Sequence, residues 1–189
     1  MPATRSSSIR PGMRGTPSAH TRTQPPDAVA AAERWFDRRW FGAALAGLLA
    51  ALSAVVFTTG IATPWPWNDE GATYLALQRD WAHLLVLYQG PDAPIVPYYL
   101  IAKAWTVALQ FLWPQTSVLL AVRLLSALAA TGTVLVLYAL VTRNAGRLTG
   151  LLAAVLLIGL PGFSRYAQEA RVYALLALAA TVSWLLWDR

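Results

Sequence analysis

FGAALAGLLAALSAVVFTTGIA, residues Phe41 to Ala62, carries no charge over 22 consecutive positions. A hydrocarbon core about 30 Å thick needs about 20 predominantly apolar residues to cross it as a helix. Ser117 to Thr142 is as long and contains a single charge, Arg123. A helix of a soluble core would show a polar face over such lengths, and neither stretch has one. Composition agrees: 57% of the chain is hydrophobic and 13% charged, against about 25% charged in soluble domains. The fold class is therefore all-α integral membrane.

Working outward, the net charge of +6 sits unevenly, with seven of fifteen basic residues in the first 39 positions (Arg5, Arg10, Arg14, Arg22, Arg34, Arg38, Arg39). Residues 1–38 are rich in Ser, Thr, Pro and Arg and too poor in large apolar residues to fold, so they read as a disordered basic tail. The arginines ahead of the first span place that tail in the cytoplasm. No folded basic face accompanies it, which excludes nucleic acid as a partner. The first apolar stretch is longer than a signal-peptide core and starts too far in, which favours a retained span. There is no cysteine, so disulfide and thiolate chemistry are excluded.

Residues 39–189 hold five apolar candidates: Phe41–Ala62, Pro94–Trp113, Ser117–Val141, Leu148–Phe163 and Val172–Trp187. If all five crossed, the turn Arg143-Asn144-Ala145-Gly146-Arg147 would lie outside, against the positive-inside tendency. Pro94–Trp113 carries Pro94, Pro97, Lys103 and Gln110, and suits an interfacial helix with Trp105 and Trp113 at headgroup level. Four spans are expected, with two amphipathic helices at the outer surface. The other outer helix is expected over Glu70–Gln89, where Tyr74, Leu77, Trp81, Leu84, Leu85 and Tyr88 recur at helical spacing. Leu148–Phe163 is short for a crossing and is expected to borrow residues at its ends.

In this arrangement Asp69, Glu70, Asp80, Asp92 and Glu169 all face outward. A carboxylate at a membrane surface is costly and often functional. Asp69 alone also reads as a helix N-cap, and Glu169 as the partner of Arg165 or Arg171. The run from Ser164 to Leu175 places two arginines, a carboxylate and two tyrosines (Tyr166, Tyr173) at the mouth of a span. Arginines there could grip a phosphate, and a carboxylate could accept a hydroxyl proton. Asp69 and Glu169 are expected to converge on one outer pocket.

Four motifs occur in order: Trp67-Asn68-Asp69-Glu70, then Asp92-Ala93-Pro94-Ile95-Val96-Pro97-Tyr98-Tyr99-Leu100, then Arg123-Leu124-Leu125-Ser126, then Arg165-Tyr166-Ala167-Gln168-Glu169-Ala170-Arg171-Val172-Tyr173. Over about residues 38–189 the chain resembles the N-terminal part of glycosyltransferase family 39 and its relatives, the protein O-mannosyltransferase-like membrane enzymes. The resemblance implies the N-terminal half of a C-type glycosyltransferase fold. It also implies transfer of a sugar, with mannose the first expectation, from a polyprenyl-phosphate donor to a hydroxyl acceptor on protein or glycan. Asp69, Glu70 and Glu169 would be catalytic, and Asp92, Tyr98, Arg123, Arg165, Tyr166, Arg171 and Tyr173 would bind substrate. No residue is assigned to a metal, although a divalent cation is left open as a cofactor. The family's His-Pro-Pro or Lys-Pro-Pro is here Ala93-Pro94-Ile95-Val96-Pro97, so one basic donor contact is missing or moved. Family members are longer, and the chain is expected to be an incomplete domain. The alternative expectation is a non-catalytic membrane subunit or an inactive paralogue.

Overall fold

The computed structural model describes residues 39–188, so the expected tail over residues 1–38 lies outside the described residues. Within them every regular element is a helix. In chain order these are α1 (Arg39–Thr58), α2 (Asn68–Gln78), α3 (Trp81–Val86), α4 (Val96–Leu112), α5 (Val118–Ala145), α6 (Arg147–Ile158), α7 (Pro161–Ala167) and α8 (Tyr173–Trp187). Short 3₁₀ turns at Leu87–Gln89 and Ala93–Ile95 link α3 to α4. Three segments are long and apolar enough to cross a bilayer: Phe41–Thr58, Ala93–Leu112 and Val118–Ala145. The bent pair α6–α7 makes up to a fourth. The chain is an all-α membrane protein.

Helix α5 is the axis of the bundle. Its 28 residues extend about 42 Å at 1.5 Å per residue, and it packs against α1, α4, α6 and α8. Small buried residues along it (Ala121, Ala127, Ala129, Ala130, Thr133) let neighbouring backbones approach. The buried hydroxyls of Ser53 and Thr133 bond back to carbonyls of their own helices, so these two groups are not stranded. Apolar side chains on the opposite faces, such as Leu48, Val55, Leu156 and Trp184, are exposed and await lipid.

The α5–α6 reversal takes one residue. Gly146 adopts φ +88°, a left-handed conformation that a Cβ would penalise. One turn on, a Cβ at Gly150 would sit 2.9 Å from the Tyr138 carbonyl and would clash with Thr142 Oγ1, so the two helices touch backbone to backbone. The same end of the bundle holds the start of α1: a Cβ at Gly42 would lie 3.6 Å from Arg147 Nη2. At the far end Arg123, near the start of α5, donates to the carbonyls of Ile61 (2.9 Å) and Pro64 (3.1 Å) just beyond α1. Helices α1 and α5 are thus antiparallel neighbours.

Three expected elements differ. The helix expected over Glu70–Gln89 is two helices, broken at Arg79 and Asp80, because the Asp80 carboxylate accepts from the His83 backbone N–H (2.8 Å) and starts a new one. That N–H, and then the His83 ring, hold the Asp80 carboxyl below its ordinary value. Leu148–Phe163 is not one rod: it begins at Arg147 and bends by 69° after Ile158, where Gly159 is followed by Pro161, which has no N–H to continue the ladder. Ser164 Oγ donates across this bend to the Ile158 carbonyl (3.0 Å). Finally, Trp67 occupies the N-cap of α2 and no side chain caps it; Asp69 sits inside the first turn.

Candidate functional site

Two loops build the site: Thr59–Trp67, leaving α1, and Gln168–Val172, between α7 and α8. The first turns over residues 59–62, and Pro64 and Pro66 then keep it extended up to Trp67. Helix α2 then turns Glu70, Thr73 and Leu77 inward on one stripe and leaves Asp69 half exposed.

Glu70 and Arg123 form a bidentate pair, with Nε to Oε1 at 2.9 Å and Nη2 to Oε2 at 2.6 Å. Both side chains are almost fully buried, at 2% and 3% exposure. Glu70 Oε1 also accepts the backbone N–H of Ala170 at 2.8 Å. Every nitrogen of the Arg123 guanidinium is engaged, by Glu70 or by the Ile61 and Pro64 carbonyls. This pair ties α2, α5 and both loops together, and its charges are spent on one another.

Arg171 reaches back to Asp69, with Nη2 3.3 Å from Oδ2 and Nη1 donating to the Asp69 carbonyl at 3.1 Å. Its guanidinium lies 5.8 Å from the centre of the Tyr173 ring, and Tyr173 meets Tyr166 edge-on at 5.0 Å. Burial alone would lower the pKa of Arg171, but Tyr173 and the Asp69 carboxylate outweigh it and raise it. Tyr98 is buried beneath this group beside Tyr99, and Asp92 and Arg171 both act on Tyr99 through space.

A cavity of about 580 Å³ opens beside the Glu70–Arg123 pair, lined also by Trp65, Trp67, Arg165, Gln168 and Glu169. Arg165 Nε donates to Glu169 Oε1 at 3.0 Å, and its guanidinium lies 5.3 Å from the centre of the Trp67 ring. The other carboxylate oxygen, Glu169 Oε2, is buried and has no hydrogen-bond partner. Gln168 Nε2 donates to the Thr59 carbonyl at 3.0 Å, fastening the wall to the end of α1.

The segments carrying Asp69 and Glu169 do meet, through the Asp69–Arg171 ion pair, the bond from Arg171 to the Asp69 carbonyl and the bond from the Ala170 N–H to Glu70, but Asp69 and Glu169 do not share the one pocket expected of them. The cavity takes Glu70, Arg123, Arg165 and Glu169 of the candidates, and Asp69 is not among its lining residues. Asp69, Arg171, Tyr166 and Tyr173 are joined in a second group, and Asp92 lies near it. Trp67 and Gln168 stand in the quoted motifs but were given no role from the sequence, and Trp65 was not singled out; the Trp-Pro-Trp run one residue before the acidic pair is the signal that could have found the two tryptophans. Among the described residues no group of three or more His, Asp or Glu side chains could hold a metal ion. The cavity's two carboxylates each face an arginine, so the donor set does not fit a divalent cation.

Comparison with known proteins adds no assignment: no family model, no curated protein and no solved structure matches the chain.

Proposed function

We propose that this chain forms an outer-face site for transfer of a sugar from a polyprenyl-phosphate donor to a hydroxyl acceptor, with Glu169 as the general base. One observation carries the reading: Glu169 lines a 580 Å³ cavity, and its buried Oε2 has no hydrogen-bond partner. A buried acceptor left unpaired is costly, and an incoming hydroxyl is the group that satisfies it. In the transfer, the acceptor oxygen bonds to the anomeric carbon as the bond from that carbon to the phosphate oxygen breaks. The bonding pair leaves with the phosphate, and the hydroxyl proton goes to Glu169 Oε2. Asp69, the carboxylate preferred as base on sequence grounds, does not line the cavity, and Glu70, the next choice, has both oxygens occupied and serves as a positioning residue for the Ala170 loop.

The membrane placement supports the same reading. Both ends of the excursion between α1 and α5 lie at one end of the bundle, tied by Arg123. A crossing by α4 would need a compensating crossing, and α2 and α3, at 11 and 6 residues, are far short of the roughly 20 required. Lys103, midway along α4, donates to the carbonyls of Leu77 and Arg79. Sinking it to mid-bilayer would drag Arg79, Asp80 and His83 with it, at a cost of several charged groups. We therefore take α4 to lie at the outer surface with α2 and α3. The spans are then α1, α5, α6–α7 and α8, with the start of α1 and the Arg143–Arg147 turn in the cytoplasm.

The test is transfer from radiolabelled polyprenyl-phosphate mannose to a hydroxyl acceptor by the purified protein in lipid vesicles. Glu169→Gln is expected to lose about 10²–10⁴-fold, while Asp69→Asn retains most activity. The opposite ranking moves the base to Asp69. A wild-type protein inert with every polyprenyl-phosphate sugar points to a non-catalytic membrane subunit.

A further inference from the structure

Three arginines approach the two loops, and their bonding states differ. Arg123 is buried and saturated by Glu70 and two backbone carbonyls. Arg171 is held twice by Asp69, and its remaining Nε is buried. Arg165 is 67% exposed and uses only Nε, on Glu169, among the described residues. Its two terminal amino groups therefore form an unoccupied fork at the cavity wall, with the guanidinium kept near the Trp67 ring.

A guanidinium fork with both ends open matches the oxygens of a phosphate, which accept two parallel N–H bonds. The partner it already has is held weakly, because an ion pair with one member in solvent gains little over hydration. Glu169 is the reverse case, 91% buried (9% exposed), with one oxygen on Arg165 and the other on nothing. We infer that Arg165 is the side chain that binds the phosphate of a lipid-borne ligand, and that it leaves Glu169 to do so. The inference rests on the proposed function, and adds to it the coupling between phosphate binding and release of the base. The Glu169–Arg165 pair is the resting state. When a phosphate enters, the guanidinium exchanges one carboxylate oxygen for two phosphate oxygens, and both oxygens of Glu169 face the acceptor hydroxyl. The cavity charge permits this: Glu70 and Arg123 cancel, so among the described residues Arg165 is the one cation lining the cavity without a saturating partner.

The coupling has a sign that a structural pair would not give. Glu169 competes with the phosphate for Arg165, so removing its charge strengthens phosphate binding. Calorimetric titration of the purified protein in neutral detergent uses undecyl phosphate as the probe, with inorganic phosphate and undecanol as comparison arms. Undecyl phosphate is expected to bind saturably and more tightly than either. Arg165→Gln is expected to weaken it about tenfold or more, and Arg165→Lys to recover only part, since an ammonium offers no fork. Glu169→Gln is expected to tighten binding several-fold. Unchanged binding in Arg165→Gln, or weaker binding in Glu169→Gln, overturns the coupling while leaving the proposed transfer reaction standing. Equal binding of inorganic and undecyl phosphate assigns the site to free phosphate and overturns the lipid-borne ligand. No binding of undecyl phosphate by the wild-type protein overturns this inference and the proposed function together.

Discussion

Replacing Glu70 by Gln removes one charge from a pair whose members are 2% and 3% exposed. Three hydrogen bonds end on this carboxylate, from Arg123 Nε (2.9 Å), Arg123 Nη2 (2.6 Å) and the Ala170 N–H (2.8 Å). A glutamine has one oxygen to meet them, and its amide N–H₂ must then face another donor. Arg123 keeps its charge at 3% exposure, with its main counter-charge gone. Breaking a buried pair in this way costs about 3–5 kcal/mol. For a chain of 150–250 residues each kcal/mol moves the unfolding midpoint by about 2–4 °C, so a fall of about 6–20 °C is expected. The measurement is the fraction of protein eluting as a single species from detergent after heating. Asp69→Asn is the control one residue away: its carboxylate is about half exposed and its pair with Arg171 spans 3.3 Å, which corresponds to about 0–1 kcal/mol. If the two substitutions lower the midpoint equally, the distinction drawn from burial is wrong. The role of Glu70 as the anchor of the Ala170 loop would then fall with it.

Two further outcomes follow from the fold. Every position of this protein lacks cysteine, so single cysteines report topology cleanly: one at Asn144 should resist an impermeant thiol reagent in intact cells, and one at Gly90 should be labelled. Labelling at 144 would put α4 across the membrane. Gly150→Ala should destabilise by about 1–3 kcal/mol through overpacking, because the Tyr138 carbonyl 2.9 Å away is backbone; adding Thr142→Ala should restore only part. Full restoration would mean that the side chain, not the backbone, sets the α5–α6 distance.

Much of the fold was legible because a bilayer imposes a length. Phe41–Ala62 and Ser117–Val141 are apolar for as long as a crossing requires, and α1 and α5 occupy them. The Glu70–Gln89 helix misled for a local reason. Its apolar stripe continues across Asp80 at helical spacing, and Leu77 and Leu84 are both buried as that stripe implies. Periodicity does not register that an Asp followed three residues later by an available N–H starts a new helix. The 69° bend in α6–α7 had its signal in Gly159 and Pro161, but the apolar run across them concealed it.

At the site, sequence determined which chemistry was available: carboxylates, arginines and tyrosines clustered at the mouths of two spans. It could not rank them. Asp69 and Glu70 are adjacent, yet one is half exposed and the other sealed against Arg123. Glu169 carries the unpaired oxygen, 100 positions further on. Those differences come from which side chain finds a partner across loops that α1, α5 and α8 bring together, and a partner's position is a property of packing. The sequence by itself determined a membrane-embedded all-α chain, because hydrophobic length is written residue by residue. Only the tertiary structure decided which charges are spent on each other and which remain available to a ligand, because neutralisation depends on distance and burial between residues far apart in the chain.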